Sequence, residues 1–134
     1  MSLPNPSPRP SSENQRFWDA TTENRLELPR CRSCGLVIWY PREICPDCHG
    51  TDIEWFEASG QGTVYSCTTT RRMPGRWGGA APFVLAYVEL DEGPRLMTNI
   101  VDCDPDEIAI GDRVEAVFHP TEDGPALVRF RPAG

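Results

Sequence analysis

Cys31-Arg32-Ser33-Cys34-Gly35 and Cys45-Pro46-Asp47-Cys48-His49-Gly50 are two C-x-x-C pairs with ten residues between Cys34 and Cys45. Each pair lets two thiolates reach one ion from a tight turn. A glycine after the second cysteine frees backbone N–H groups to turn toward the sulfurs. Together the pairs offer four thiolates, the closed tetrahedral shell that structural zinc prefers. The linker is shorter than the roughly 15–20 residues of the commonest template, and short zinc ribbons accept it. Two disulfides or a redox C-x-x-C are the other readings. No secretory leader precedes the pairs, which argues against disulfides, and a redox pair needs no duplicate at this spacing. Cys31, Cys34, Cys45 and Cys48 are therefore read as ligands of zinc, with iron the other ion such a site takes. A site with four sulfur ligands has no open position for water or substrate, so the metal is structural and not a Lewis acid.

The chain of 134 residues carries a formal charge of -7. Four thiolates around one divalent ion take this to about -9. All thirteen basic residues are arginine and there is no lysine. That excludes a Schiff base, a lysine general base and a P-loop lysine. Residues 1–60 hold six Arg against nine acids, and residues 61–134 seven against eleven. Binding to a phosphate backbone depends on clustered cations, so the balance speaks against nucleic acid. No run approaches the ~18 apolar residues of a membrane span. The expected setting is reducing and cytoplasmic.

Around the knuckles the chain divides into an arm and helix (1–29), a zinc ribbon (30–57) and a barrel (58–134). Residues 1–11 contain four prolines and read as an extended, mobile leader. Ser12 and Gln15 form a candidate capping box for a helix over Glu13–Glu23. Phe17 and Trp18 on that helix either pack on the ribbon or dock a partner subunit. Leu26–Arg30, Leu36–Tyr40 and Asp52–Glu57 are expected as three ribbon strands, with Trp39 and Trp55 as lids over the small core. Ala58-Ser59-Gly60-Gln61-Gly62 breaks the pattern. Beyond it, Thr63–Thr70, Phe83–Asp91, Arg95–Val101, Arg113–Phe118 and Ala126–Phe130 read as strands. Val84, Ala86, Val88 and Leu90 share one face, as do Leu96, Thr98 and Ile100. Five short strands, with an irregular acidic segment over 102–112, match the OB-fold, a five-stranded barrel. The fold class is mostly β: an N-terminal helix, a rubredoxin-like ribbon, then the barrel.

The combination of Phe17-Trp18, L-x-L-P-R-C-R-S-C-G (26–35), W-Y-P-R-x-x-C-P-x-C (39–48), S-G-x-G-T-V-Y-S (59–66), G-P-R-L-M-T-N (93–99) and F-R-P (130–132) resembles one family over about residues 12–132. It is that of the zinc-ribbon OB-fold proteins associated with acyl-CoA metabolism. The resemblance implies a small companion subunit of thiolase-like enzymes: thiolases, acyltransferases or retro-aldolases of lipid, steroid or aromatic catabolism. Some members partner hydratase-like hot-dog proteins. It also implies Zn2+ on the four cysteines and a barrel that docks the partner and helps hold acyl-CoA, in a hetero-oligomer. His49 departs from the family, which usually has glycine there. Gly50 is expected to compensate by a shifted turn, and a ligand role for His49 is disfavoured because four cysteines suffice.

No catalytic constellation is visible. His119 precedes Pro120 and reads as a surface residue; Cys67 and Cys103 have no histidine partner in sequence. The acids of 102–112 lack calcium-loop spacing and read as a solvated loop. The one ligand candidate is the loop Arg71–Pro82, with Arg71, Arg72, Arg76 and Trp77. Arginine forks suit phosphates and tryptophan stacks on rings, so coenzyme A or a partner's entrance fits it; a flexible solvated loop is the plain alternative. Against the subunit reading stands a nucleic-acid-binding module built from the same ribbon and OB-fold, which the acidity disfavours.

Overall fold

The computed structural model describes residues 3–134. A short helix α1 (Gln15–Thr21) leads into a hairpin-like pair, β1 (Glu27–Cys31) and β2 (Ile53–Glu57), that brackets the knuckles. β1 and β2 are antiparallel, in register from Glu27 opposite Glu57 to Cys31 opposite Ile53. Then come β3 (Gln61–Thr70), a 3-10 turn over Gly75–Ala80, β4 (Phe83–Leu90), β5 (Arg95–Ile100), β6 (Arg113–His119) and β7 (Leu127–Pro132). These five close into a barrel in the order β3-β4-β5-β7-β6.

The barrel follows the alternation of its sequence. Val84, Ala86, Val88 and Leu90 are buried on β4, and Leu96, Thr98 and Ile100 on β5. Period two puts one face of each strand inside, and β-branched residues fill it well. The second residue of β3 is a glycine for a reason of space. A Cβ on Gly62 would lie 2.7 Å from Val88 Cγ1 and 2.8 Å from the Glu89 carbonyl oxygen.

Closure is uneven around the ring. β4 pairs with β5 over six residues, and β6 with β7 over six. β5 and β7 run parallel and meet in register at one pair, Ile100 opposite Phe130. Thr98 Oγ1 donating to the Val128 carbonyl at 3.0 Å and Val101 N–H donating to the Phe130 carbonyl at 2.7 Å bridge the rest of that seam.

One apolar core runs through both halves of the chain. Phe17, Leu26 and Leu28 join Val64, Val88, Leu96, Val114 and Phe130 in a single cluster. Ala58, in the glycine-rich break, is itself buried in it. The ribbon adds a small second cluster of Cys31, Ile38 and Cys45.

Four local expectations are corrected. The Ser12–Gln15 capping box does not form. Asn14 is the N-cap residue of α1, and its Oδ1 instead accepts from the Ser11 N–H at 2.6 Å. The helix is also shorter than Glu13–Glu23. Leu36–Tyr40 is not a third strand. Only Val37 bridges to Arg30, because Trp39 and Tyr40 leave the ribbon to pack on Phe17, with ring centroids 5.2 and 6.4 Å from it. Finally, the proline-rich arm is docked where it is described. Arg129 Nη2 donates to the Pro4 carbonyl and Nη1 to Asn5 Oδ1, both at 2.6 Å. Ser7 Oγ accepts from the Asp123 N–H at 3.2 Å. Met1 and Ser2 of that arm lie outside the described residues.

Candidate metal centre and adjoining groove

The two knuckles bring Cys31, Cys34, Cys45 and Cys48 together with all four Sγ atoms within 4.8 Å of one another. Cys31 and Cys48 sulfurs are 3.5 Å apart, and Cys34 and Cys45 sulfurs 3.6 Å. A tetrahedron with zinc–sulfur bonds of about 2.3 Å has edges of about 3.8 Å, so these two cross-knuckle pairs lie close to the spacing the ion needs. The four cysteines form a structural zinc site.

Each knuckle turns by the same device. Gly35 N–H donates to the Cys31 carbonyl at 2.8 Å, and His49 N–H to the Cys45 carbonyl at 3.0 Å. Both residues take positive φ, +84° at Gly35 and +62° at His49. His49 therefore occupies the glycine position directly, at some steric cost, and Gly50 does not substitute for it by a shifted turn. What Gly50 gives is room: a Cβ there would meet Cys48 Sγ at 3.2 Å. Without a cation the sulfurs cannot all ionise. The Cys34 N–H holds the Cys31 thiol down to about 7. Cys34 has a lowering bond from Leu36 N–H, but burial and the neighbouring sulfurs outweigh it and push that thiol up to about 12. A divalent ion removes this conflict by neutralising half of the four-thiolate charge.

Beside the ribbon lies a groove of about 360 Å³, walled by Trp18, Trp39, Tyr40, Trp77, β5 and β7. It follows the thinly paired β5/β7 seam. Trp18 Nε1 and Asn14 Nδ2 donate to the Tyr40 hydroxyl oxygen at 3.0 and 2.9 Å. Tyr40 thus has its own proton left to donate. Phe17 is only 2 % exposed and sits in the core, so it presents nothing to a partner; Trp18 is half-buried on the groove wall. Trp55 lies under Arg16, 5.8 Å from the guanidinium carbon.

The loop after β3 is partly structured by its 3-10 turn, and Trp77 packs on Phe83 at 5.4 Å. Arg71 is engaged with Asp106 at 2.5 Å, while Arg72 and Arg76 are exposed. The acids of 102–112 tie their own loop: Asp104 accepts from the Asp106 N–H and Asp112 from the Ala109 N–H, both at 2.9 Å. Burial and those acids, Asp102 foremost, raise the Cys103 thiol, which leaves it protonated and a poor nucleophile.

His119 is not the surface residue its position before Pro120 suggests. It is half-buried, and its Nδ1 lies 2.8 Å from Arg129 Nη1. Burial first and the Arg129 cation second hold it below the usual histidine range, with Asp102 opposing. The neutral ring accepts from Arg129, which sequence reasoning passed over because an arginine in a last strand reads as solvent-facing. A histidine depressed in the folded state favours folding fully above its unfolded value of about 6.5, and that contribution is lost as pH falls below it. Between about pH 7.5 and 5, wild type should lose more thermal stability than His119→Gln, which keeps an acceptor and cannot charge. Parallel melting curves would refute this.

Two adjoining family models match, the "ChsH2, rubredoxin-like zinc ribbon domain" over residues 18–54 and the "ChsH2, C-terminal OB-fold domain" over residues 55–119. A DUF35 domain-containing scaffold protein of Methanothermobacter thermautotrophicus is 41% identical over 126 residues, covering 90% of this chain and 95% of its own. A probable enoyl-CoA hydratase alpha subunit of Thermomonospora curvata is 38% identical over 94% of this chain, which spans 40% of that longer protein. A solved Ltp2-ChsH2(DUF35) aldolase contains a chain that superposes with a TM-score of 0.83 at 35% identity, covering 93% of this chain and 98% of that one.

Proposed function

Because the chain belongs to the ChsH2 family of DUF35 proteins, a zinc ribbon followed by an OB-fold, we propose that it is a non-catalytic subunit that docks on and supports a thiolase-like enzyme acting on acyl-CoA thioesters. The observation that carries this is the end-to-end likeness to the ChsH2 chain of an aldolase assembly. The chemistry agrees. Among the described residues the sole clustered metal donors are the four zinc cysteines, a closed set. Eight of the thirteen arginines, such as Arg113 with Asp91 and Arg131 with Glu115, are paired with carboxylates. Few cations remain for a phosphate backbone, which disfavours the nucleic-acid reading.

The outer face of β4 and β5 is the surface we assign to the partner. Tyr87 and Met97 face each other across the two strands and are 47 % and 62 % exposed, with Leu85 and Tyr65 nearby. Contiguous exposed apolar side chains of this kind mark protein interfaces. With Arg71 held by Asp106, coenzyme A phosphates are left to Arg72 and Arg76, with Trp77 for a ring. Trp18 is the remaining helix candidate for partner contact. A hydratase-like hot-dog protein as second partner, a role in lipid, steroid or aromatic catabolism, and a cytoplasmic setting complete the reading. Among the described residues no helix is long and apolar enough to cross a membrane.

Co-expression with a thiolase-like protein, sought first among neighbouring reading frames, tests the proposal. The two should co-elute and turn over a thioester that this chain alone leaves intact. Tyr87→Ala with Met97→Ala should weaken the complex about 10- to 100-fold, as loss of one or two interface anchors does. Turnover of a thioester by the isolated chain would sink the reading.

A further inference from the structure

Arg129 is 3 % exposed and has no carboxylate partner among the described residues. Its acceptors are all neutral: Asn5 Oδ1, the Pro4 carbonyl oxygen and His119 Nδ1. A buried guanidinium without a counter-charge is costly, and a chain of -7 with twenty acids does not lack candidates. Yet the two oxygens that cap it come from a strap, residues 3–8, that belongs to no element and is tied to β7 through Arg129. Arg129 also lines the aromatic groove, as does Pro6 of the strap. Asn5 and Leu3 also edge a second cavity, of about 250 Å³, with Phe83, Ile100 and His119.

We propose that Arg129 is a latent carboxylate site, capped by the strap, for an organic acid whose flat apolar body lies in the groove between Trp18, Trp39, Trp77 and Met97. Binding exchanges the Asn5 and Pro4 oxygens for the two oxygens of one carboxylate. The guanidinium fork matches that pair bidentately, and the carboxylate supplies the counter-charge that the two neutral oxygens lack. Tyr40 lines the same groove, and the groove's volume falls in the ordinary range for a small-molecule site. His119 stays neutral and keeps its bond to Nη1 while the strap moves. Trp18, Trp77 and Met97, assigned above to the partner and to coenzyme A, also line this groove, so the test is made on the chain alone.

The test uses the zinc-loaded full chain and the probe 3-phenylpropionate, read by tryptophan fluorescence and by amide chemical shifts. The neutral amide, 3-phenylpropanamide, and inorganic phosphate are the controls. The acid should bind and shift the amides of Asn5 and Arg129, and both controls should not. Asn5→Ala loosens the cap and should tighten binding about tenfold, the worth of one hydrogen bond. Asn5→Asp supplies the carboxylate from the strap itself. It should abolish probe binding and raise the melting temperature. Arg129→Gln should abolish binding at unchanged zinc content; if it does not fold, the opposed effects of the two Asn5 variants decide. Equal binding of acid and amide, or no binding of the acid to Asn5→Ala, overturns the proposal.

Discussion

Removing the metal, by chelator under reducing conditions or by Cys45→Ser, will unfold residues 31–52 and cost the protein most of its thermal stability. The segment has almost no core of its own. Its buried apolar set is Cys31, Ile38 and Cys45, with Ile53 packed alongside. Burying one isoleucine contributes about 1.5–3 kcal/mol, whereas ordering each residue of the backbone costs about 1–2 kcal/mol. The ion closes that gap, since structural zinc in small modules binds with apparent free energies of about 10–16 kcal/mol. Elemental analysis should find one zinc per chain, and melting of the apo protein should come well below the holo transition. A metal-free, reduced protein with an unchanged melting curve would contradict the assignment.

Phe17→Ala should be the most damaging single truncation outside the knuckles, at about 3–5 kcal/mol. For a chain of this length that is a fall in Tm of roughly 10–20 °C. Phe17 links the N-terminal half of the chain to the barrel. Its ring meets Trp18 at 4.9 Å and Trp39 at 5.2 Å, both edge-to-face, and it belongs to the same cluster as Val88 and Phe130. Its loss leaves a cavity that helix, ribbon and barrel cannot all close upon. Phe17→Leu should cost much less, and calorimetry on both variants separates volume from ring contacts. A loss of under about 1 kcal/mol for the alanine variant would show the cluster to be plastic.

The features legible in the sequence are those with a local period or a local chemical demand. C-x-x-C spacing fixes the knuckles because the turn and the sulfurs lie within a few residues of each other. The inward positions of β4 and β5 follow from strict alternation. What escaped depends on partners far along the chain. Leu36–Tyr40 has the composition of a strand, but Trp39 and Tyr40 find better partners on Phe17, and pairing stops at Val37. Four prolines in the arm signal extension correctly and say nothing of docking, because the anchor, Arg129, lies more than 120 residues away. His119 is invisible for the same reason. Ahead of α1, Ser12 and Asn14 are both good cap residues, and local pattern alone could not rank them.

The thin seam between β5 and β7 has a consequence for behaviour in a crowded solution. Strand edges with unspent N–H and C=O groups are templates for pairing with another chain. Here Thr98, whose hydroxyl reaches across to Val128, the aromatic side chains of the groove and the strap over Arg129 all sit where such an intruder would enter. The parts that make this face attractive to a small acid also keep the barrel from zipping onto its neighbours.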